Sequence, residues 1–232
     1  MIVKVIGKYG RYAPVKEATN CYLLQTNQGK NILLDFGSGA LSFLQNHINI
    51  ENIDIVILTH LHFDHSADMG VLSYALGFLK LPKLPVYMPE TPEAMKNVFA
   101  TSQFDIKYIK DNMTIEIDDL RMTFKKSVHP VETYSVLINE NSKLLVYTSD
   151  CSDKEVLKNN TIGANVVIGD ACILDKNYNS NAPHISVKML AENVPANCKL
   201  YLAHLTAGEE EDILDEGKAY HSNCELVKDF EF

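Results

Sequence analysis

The stretch ILTHLHFDHSADMG, Ile57 to Gly70, places three histidines and two aspartates in fourteen residues, directly after the uncharged run Ile55–Thr59. Imidazole nitrogen and carboxylate oxygen together suit Zn²⁺, and also Mn²⁺ or Fe. His60 and His62 are two apart, so in an extended segment both rings lie on one side. Asp64 and His65 follow a turn and can address a second centre. One short motif supplies at most four ligands, and two ions need more, including a carboxylate to bridge them. His129, Asp150 and His204 are the further candidates. A single histidine at a strand end is more often an ordinary polar residue than a ligand. Seven such groups in this order favour metal.

The elements that must position these groups follow from pattern. Alternation predicts a strand over Met1–Ile6. NCYLLQT (Asn20–Thr26) and NILLDFG (Asn31–Gly37) predict a hairpin across NQGK. SGALSFLQNH has helical spacing. IDIVILTH reads as a strand covered on both faces. SADMGVLSYALGFLK reads as a helix with Ser66 near its N-cap. LPVYMP is a strand, and TPEAMKNVFA a helix with Thr91 as cap and Pro92 first. In the second half LRMTFKKSVH, TYSVLIN, KLLVYTSD, ANVVIGD and KLYLAH read as strands. DKEVLKN, HISVKMLAEN and GEEEDILDEGKAY read as helices. Asp35, His60, His129, Asp150 and His204 each close an apolar run, as though five strand ends share one functional edge. The pattern predicts two mixed sheets with helices outside, in one domain of two similar halves over residues 1–232.

Composition bounds the function. The chain has 232 residues, 46% of them hydrophobic, and a net charge of −9. That balance opposes a broad basic surface for nucleic acid, whose binding rests on Lys and Arg. It does not oppose a small anionic substrate beside a bound cation. Five cysteines without CxxC spacing read as reduced, buried thiols of a cytoplasmic protein. The N-terminus lacks a signal-peptide core, and no run approaches the length of a membrane span. His47, His221, Met69 and the tyrosines read as packing or surface residues. Glu209–Asp212 reads as a solvated first helical turn.

THLHFDHSADM resembles the HxHxDH signature of the metallo-β-lactamase fold. His129, Asp150 in YTSDC and His204 in LAHLT match that family's later motifs in order, and NCYLL…NILLDFGSGALSFL is similar to its first strands. VHPVETYSVLI looks like the phosphodiesterase branch that includes ribonuclease Z. ANVVIGDACI with HISVKMLAE resembles the ribonuclease Z stretch where an acid and a histidine flank the metals.

The resemblance implies an α/β (α+β), four-layer αββα sandwich with a dinuclear site. His60, His62 and His129 would hold one metal; Asp64, His65 and His204 the other; Asp150 would bridge. The ions expected are two divalent metals, zinc first, with manganese or iron as alternatives. His184 would protonate the leaving oxygen, oriented by Asp170, and Asp35 would orient a ligand. The family usually has Glu where Asp170 stands. The expected reaction is hydrolysis of a small phosphodiester or nucleotide-like substrate. The inserted arm with which ribonuclease Z grips tRNA has no counterpart here, so tRNA is not the expected partner. No membrane partner is expected, and a homodimer stays open. The rival readings are another ester or thioester hydrolase, a diiron oxidoreductase and a non-catalytic metal-binding protein. Diiron enzymes of this fold usually carry Glu in place of His62 and add a flavin domain.

Overall fold

The computed structural model describes residues 1–232. They form two compact units, residues 1–109 with 229–232, and residues 110–228.

Unit 1 is one seven-stranded mixed sheet with its helices. β1 (Ile2–Gly7), β2 (Cys21–Gln25) and β3 (Asn31–Leu34) run antiparallel. The expected hairpin turn closes with Lys30 N–H donating to Thr26 Oγ1 at 3.0 Å, while Gly29 takes φ 92°. After α1 (Ala40–Leu44) the connections become crossovers, and β4 (Ile55–Ile57) joins β3 in parallel. α2 (Phe63–Ser66) and α3 (Met69–Phe78) lead to β5 (Leu84–Met88), and α4 (Glu93–Phe99) to β6 (Phe104–Tyr108), both parallel. Residues from Phe230 to Glu231 add a last antiparallel strand to the free edge of β1, pairing Ile2 with Glu231 and Val3 with Phe230. Asp229 fastens it, accepting from Val5 N–H at 2.8 Å and from Lys4 Nζ at 3.0 Å. The core is mostly aliphatic, with Leu33, Val56, Leu72 and Val86 fully buried beside Phe36.

Two expectations need correction here. The helix predicted from Ser66 is two helices, and Ser66 ends the first, its hydroxyl donating to His62 O at 2.8 Å. Asp68 stands at the N-cap position of α3 without capping it, because its Oδ2 accepts from Leu41 N–H at 2.8 Å. α4 starts at Glu93 with Pro92, not Thr91, in the extended cap position.

Unit 2 repeats the plan. β7 (Thr114–Ile117), β8 (Leu120–Lys126), β9 (Tyr134–Glu140) and β10 (Lys143–Tyr147) are antiparallel. β11 (Val166–Asp170), β12 (Lys199–Ala203) and β13 (Cys224–Leu226) continue from β10 in parallel. α5 (Lys154–Asn160), α6 (Val187–Asn193) and α7 (Glu210–Tyr220) make the connections. Asp153 caps α5, accepting from Glu155 and Val156 N–H at 2.8 and 3.1 Å, and Ser186 caps α6. The helix expected from His184 therefore begins three residues later, since the Ser186 hydroxyl ends the extended approach. β8 likewise stops at Lys126, short of His129.

No helix is long and apolar enough to cross a membrane. All five cysteines are free and buried. Burial pushes the thiols of Cys198 and Cys224 up to about 11, which keeps them protonated and unreactive.

The two sheets share a consequence. In each, side chains just past the carboxyl ends of parallel strands emerge together, where α/β sheets ordinarily place ligands. Gly37 serves this in unit 1. A Cβ there would lie 2.1 Å from Asp64 O and 2.2 Å from Thr19 Oγ1. The segment after β3 is laced to α2, with Phe36 N–H donating to His65 O at 2.7 Å. Gly37→Ala is expected to cost about 1–3 kcal/mol through overpacking and to loosen the Asp64–His65 turn. Denaturant midpoints and metal content together check this; a variant with both unchanged would mean the turn yields freely.

Candidate metal centre

In unit 1 the site is built around a buried carboxylate. Asp35 follows β3, is fully buried and takes φ 57°, a left-handed conformation that Asp tolerates better than most residues. Its Oδ1 accepts from Thr59 N–H at 2.7 Å, and the Thr59 hydroxyl lies 2.9 Å from Oδ2. The same Oδ2 is 2.7 Å from His65 Nδ1. This fixes the His65 ring and leaves Nε2 as the atom that could bind a metal, in the manner of a carboxylate-supported imidazole. Asp64 Oδ2 stands 3.8 Å from that Nε2. His60 Nδ1 is 3.2 Å from the Thr59 hydroxyl, and its ring centroid lies 4.8 Å from that of His62 and 4.0 Å from that of His65. Thr59 and Asn20 are residues the sequence did not single out. Asn20 is fully buried with Nδ2 3.1 Å from His65 Nε2. Their signal was a polar residue with no obvious use inside an apolar run, TNCYLL for one and VILTH for the other.

In unit 2 a second carboxylate is straddled. Asp150 Oδ2 lies 3.5 Å from His129 Nε2, and Oδ1 lies 3.4 Å from His204 Nε2. Ordinary N–H···O bonds are shorter, near 2.9 Å. Two ligands bound at about 2.0–2.1 Å around a tetrahedral ion stand about 3.3–3.4 Å apart. The separations therefore fit donors that share a cation better than donors that share a proton. Pro183 O, 3.0 Å from His129 Nδ1, holds that ring by its far nitrogen. Ser149 and His204 both take left-handed backbone, at φ 53° and 55°. Neither is glycine, and such strain persists only where surroundings enforce it, often at functional sites.

Asp170, the last residue of β11, bonds His184 Nδ1 at 2.7 Å through Oδ2. The shorter Asp therefore reaches where the resembling stretch usually has Glu. Its Oδ1 also lies 3.3 Å from His204 Nδ1, a contact not expected from sequence. Burial opposes ionisation of Asp170, but the two imidazoles prevail and hold its carboxyl well below the usual range. Burial likewise opposes a charged His184, and the Asp170 carboxylate overrides it, so that His184 is pushed up to about 11. Cys172 joins this group; Asp170, Cys172, His184 and His204 each present a donor atom within 4.8 Å of the others. The donor chemistry of both units, nitrogen and carboxylate oxygen with supported imidazoles, fits divalent transition metals.

Every candidate from the sequence is thus accounted for. Asp35, His60, His62, Asp64 and His65 cluster in unit 1, and His129, Asp150, Asp170, His184 and His204 in unit 2. His47 and the Glu209–Asp212 run belong to neither group.

Similarity to known proteins agrees with this chemistry. Residues 15–141 match the family model of the metallo-beta-lactamase superfamily. The probable metallo-hydrolase YhfI of Bacillus subtilis is 36% identical over 159 residues, 66% of this chain and 64% of that protein. The crystal structure of YhfI, described as a metallo-beta-lactamase fold protein, superposes with a TM-score of 0.90 at 28% identity, covering 98% of this chain and 96% of that one. A protein named ribonuclease Z from Methanopyrus kandleri is 27% identical over 135 residues, 57% of this chain and 48% of that protein. A diphosphatase from the PhnP family shares the fold, with a TM-score of 0.74 at 18% identity over 100% of this chain and 98% of that one. The family model spans more than half of the chain and includes the whole HxHxDH stretch, so by sequence and by its α/β fold this protein belongs to the metallo-beta-lactamase superfamily.

Proposed function

We propose that the chain is a metal-dependent hydrolase that cleaves small phosphodiesters with a dinuclear centre. The observation that carries the reading is the Asp150 carboxylate, each oxygen faced by a different imidazole Nε2 at 3.4 and 3.5 Å. In this reading His60, His62 and His129 hold one ion, Asp64, His65 and His204 the other, and Asp150 serves both. Zinc suits the nitrogen-rich set, and manganese or iron would also be accepted. The bound ions would supply an activated water near neutral pH and neutralise charge on the phosphoryl oxygens.

The remaining chemistry belongs to the chain. Asp170 holds His184 by Nδ1, which leaves Nε2 to deliver a proton to the leaving oxygen. Asp35 fixes the orientation of His65 through its Nδ1 at 2.7 Å. The free, buried cysteines support a reducing, cytoplasmic setting. Small substrates are favoured over tRNA by the net charge of −9.

Metal analysis followed by assay on bis(p-nitrophenyl) phosphate tests the reading. Two ions per chain with turnover is the expected result. Iron with oxygen consumption would replace the hydrolase by a redox protein, and turnover of thioesters alone would move it to another branch of the family. Binding of tRNA is expected to be weak and to vanish at moderate salt, because few basic groups can displace counterions. Salt-resistant binding with cleavage of a 3′ trailer would instead make the protein a tRNA-processing enzyme.

A further inference from the structure

The loop after β1 holds a residue that the proposed chemistry leaves unused. Arg11 is one of only two arginines in the chain, the other being Arg121 on β8. Its main-chain N–H donates to Asp64 Oδ2 at 2.8 Å. Its backbone sits at φ 56°, a conformation that residues other than glycine and Asn or Asp seldom take. Tyr12 N–H turns back to Gly10 O at 2.6 Å and tightens the same bend. The side chain is exposed, and its guanidinium makes no hydrogen bond or ion pair within the chain. Strained backbone of this kind survives where neighbouring structure fixes it, and it is often found at functional positions.

Three facts therefore meet at one residue. The loop is pinned by a ligand-type carboxylate, its backbone is held in an unfavourable region, and the charge it carries is unspent. An acidic chain repels anions at long range, so a local cationic side chain beside the metal centre favours an anionic substrate. Guanidinium presents a planar fork that matches two oxygens of a phosphoryl group, which an ammonium cannot do.

We propose that Arg11 is the substrate anchor of this site, gripping two non-bridging oxygens of a phosphodiester monoanion while its own main chain steadies Asp64. This rests on the phosphodiesterase reading above and names its specificity-determining residue. Arg11 does not act on the scissile bond; it lowers KM and leaves the chemical step largely alone.

The test uses the metal-loaded protein with Arg11→Gln and Arg11→Lys. Both variants retain the main-chain N–H, so metal content should match wild type. On bis(p-nitrophenyl) phosphate, Arg11→Gln is expected to raise KM about 10- to 100-fold, the range for losing a charge-assisted contact, with kcat within a few-fold. Arg11→Lys should fall between, because a point charge replaces the fork. Inorganic phosphate, titrated by calorimetry, should lose affinity in the same order. Any turnover of the uncharged ester p-nitrophenyl acetate should be unaffected. Unchanged KM and phosphate affinity in Arg11→Gln would overturn the proposal. So would a fall in kcat with loss of metal, which would assign Arg11 to the support of Asp64 alone. If the wild type turns over no phosphodiester, the phosphodiesterase reading fails, and phosphate affinity by itself still decides for or against Arg11.

Discussion

Asp150→Ala is expected to lose one metal or both and to abolish turnover. The carboxylate is buried, its side chain 2% exposed, with imidazole nitrogens of His129 and His204 at 3.5 and 3.4 Å and His184 Nδ1 at 3.8 Å. Removing it leaves the Nε2 atoms of His129 and His204 without the carboxylate between them, and Asp170, engaged by the Nδ1 atoms of His184 and His204, is not placed to replace it. Loss of an outer support of a metal ligand costs about 10–100-fold in affinity or activity; loss of a carboxylate serving two ions should exceed that range. Asp150→Asn is the sharper variant, since it keeps the volume and one oxygen but removes the charge and one of the two acceptors. It should retain at most one ion. Metal counts on both variants, with melting curves to exclude misfolding, decide the matter. Two ions and ordinary activity in either variant would remove Asp150 from the bridging position.

The second large effect concerns His184. If it protonates the leaving oxygen, its worth depends on how much the leaving group needs a proton. General acid catalysis supplies about 10²–10⁴-fold. A ribose alkoxide is a poor leaving group and should show most of that loss in His184→Ala. A p-nitrophenolate leaves with little help and should show far less. Both ions should stay, because His184 is not among the proposed ligands. The comparison needs kcat/KM for both substrate types with metal content alongside. Equal losses on the two substrates would mean that His184 binds phosphate or supports the fold, and loss of metal would mean that it is itself a ligand.

Asp170→Asn separates two roles in the same experiment. Because Asp170 lies 2.7 Å from His184 Nδ1 and 3.3 Å from His204 Nδ1, its effect cannot be a diluted copy of His184→Ala. Weakened metal affinity, about 10–100-fold, is expected in addition to the leaving-group pattern.

The ligand-type residues were legible because metal chemistry restricts residue types and because HLHFDH is dense. Strand ends were legible because apolar runs such as IVIL and KLYLA stop abruptly at a titratable group. Supports were harder to see. Thr59 and Asn20 are ordinary polar residues, and only the folded chain brings Asn20, at the start of β2, to His65. The double contact of Asp170 was hidden because His184 and His204 are twenty positions apart. A helix start misled where the side chain had another partner, as with Ser66, since capping propensity cannot show that a hydroxyl is already engaged elsewhere. β6 was passed over although FDIKY alternates strictly, with Phe104, Ile106 and Tyr108 set against the exposed Asp105 and Lys107.

The strand at Phe230–Glu231 gives the first sheet a history. β1 is made together with the rest of unit 1, yet the strand that covers its edge leaves the ribosome about 120 residues after Ile109, the last residue before unit 2. At about 5–20 residues per second this is roughly 6–24 s of synthesis. Throughout that interval IVKVIG presents an open β edge, the kind of template on which other chains aggregate. Lys4 and the amide of Val5, later bound by Asp229, stand on that edge, and the lysine's charge guards it. The nascent protein is therefore most dependent on chaperones during the translation of unit 2, and a ribosome stalled there would hold the first sheet with its β1 edge still uncovered.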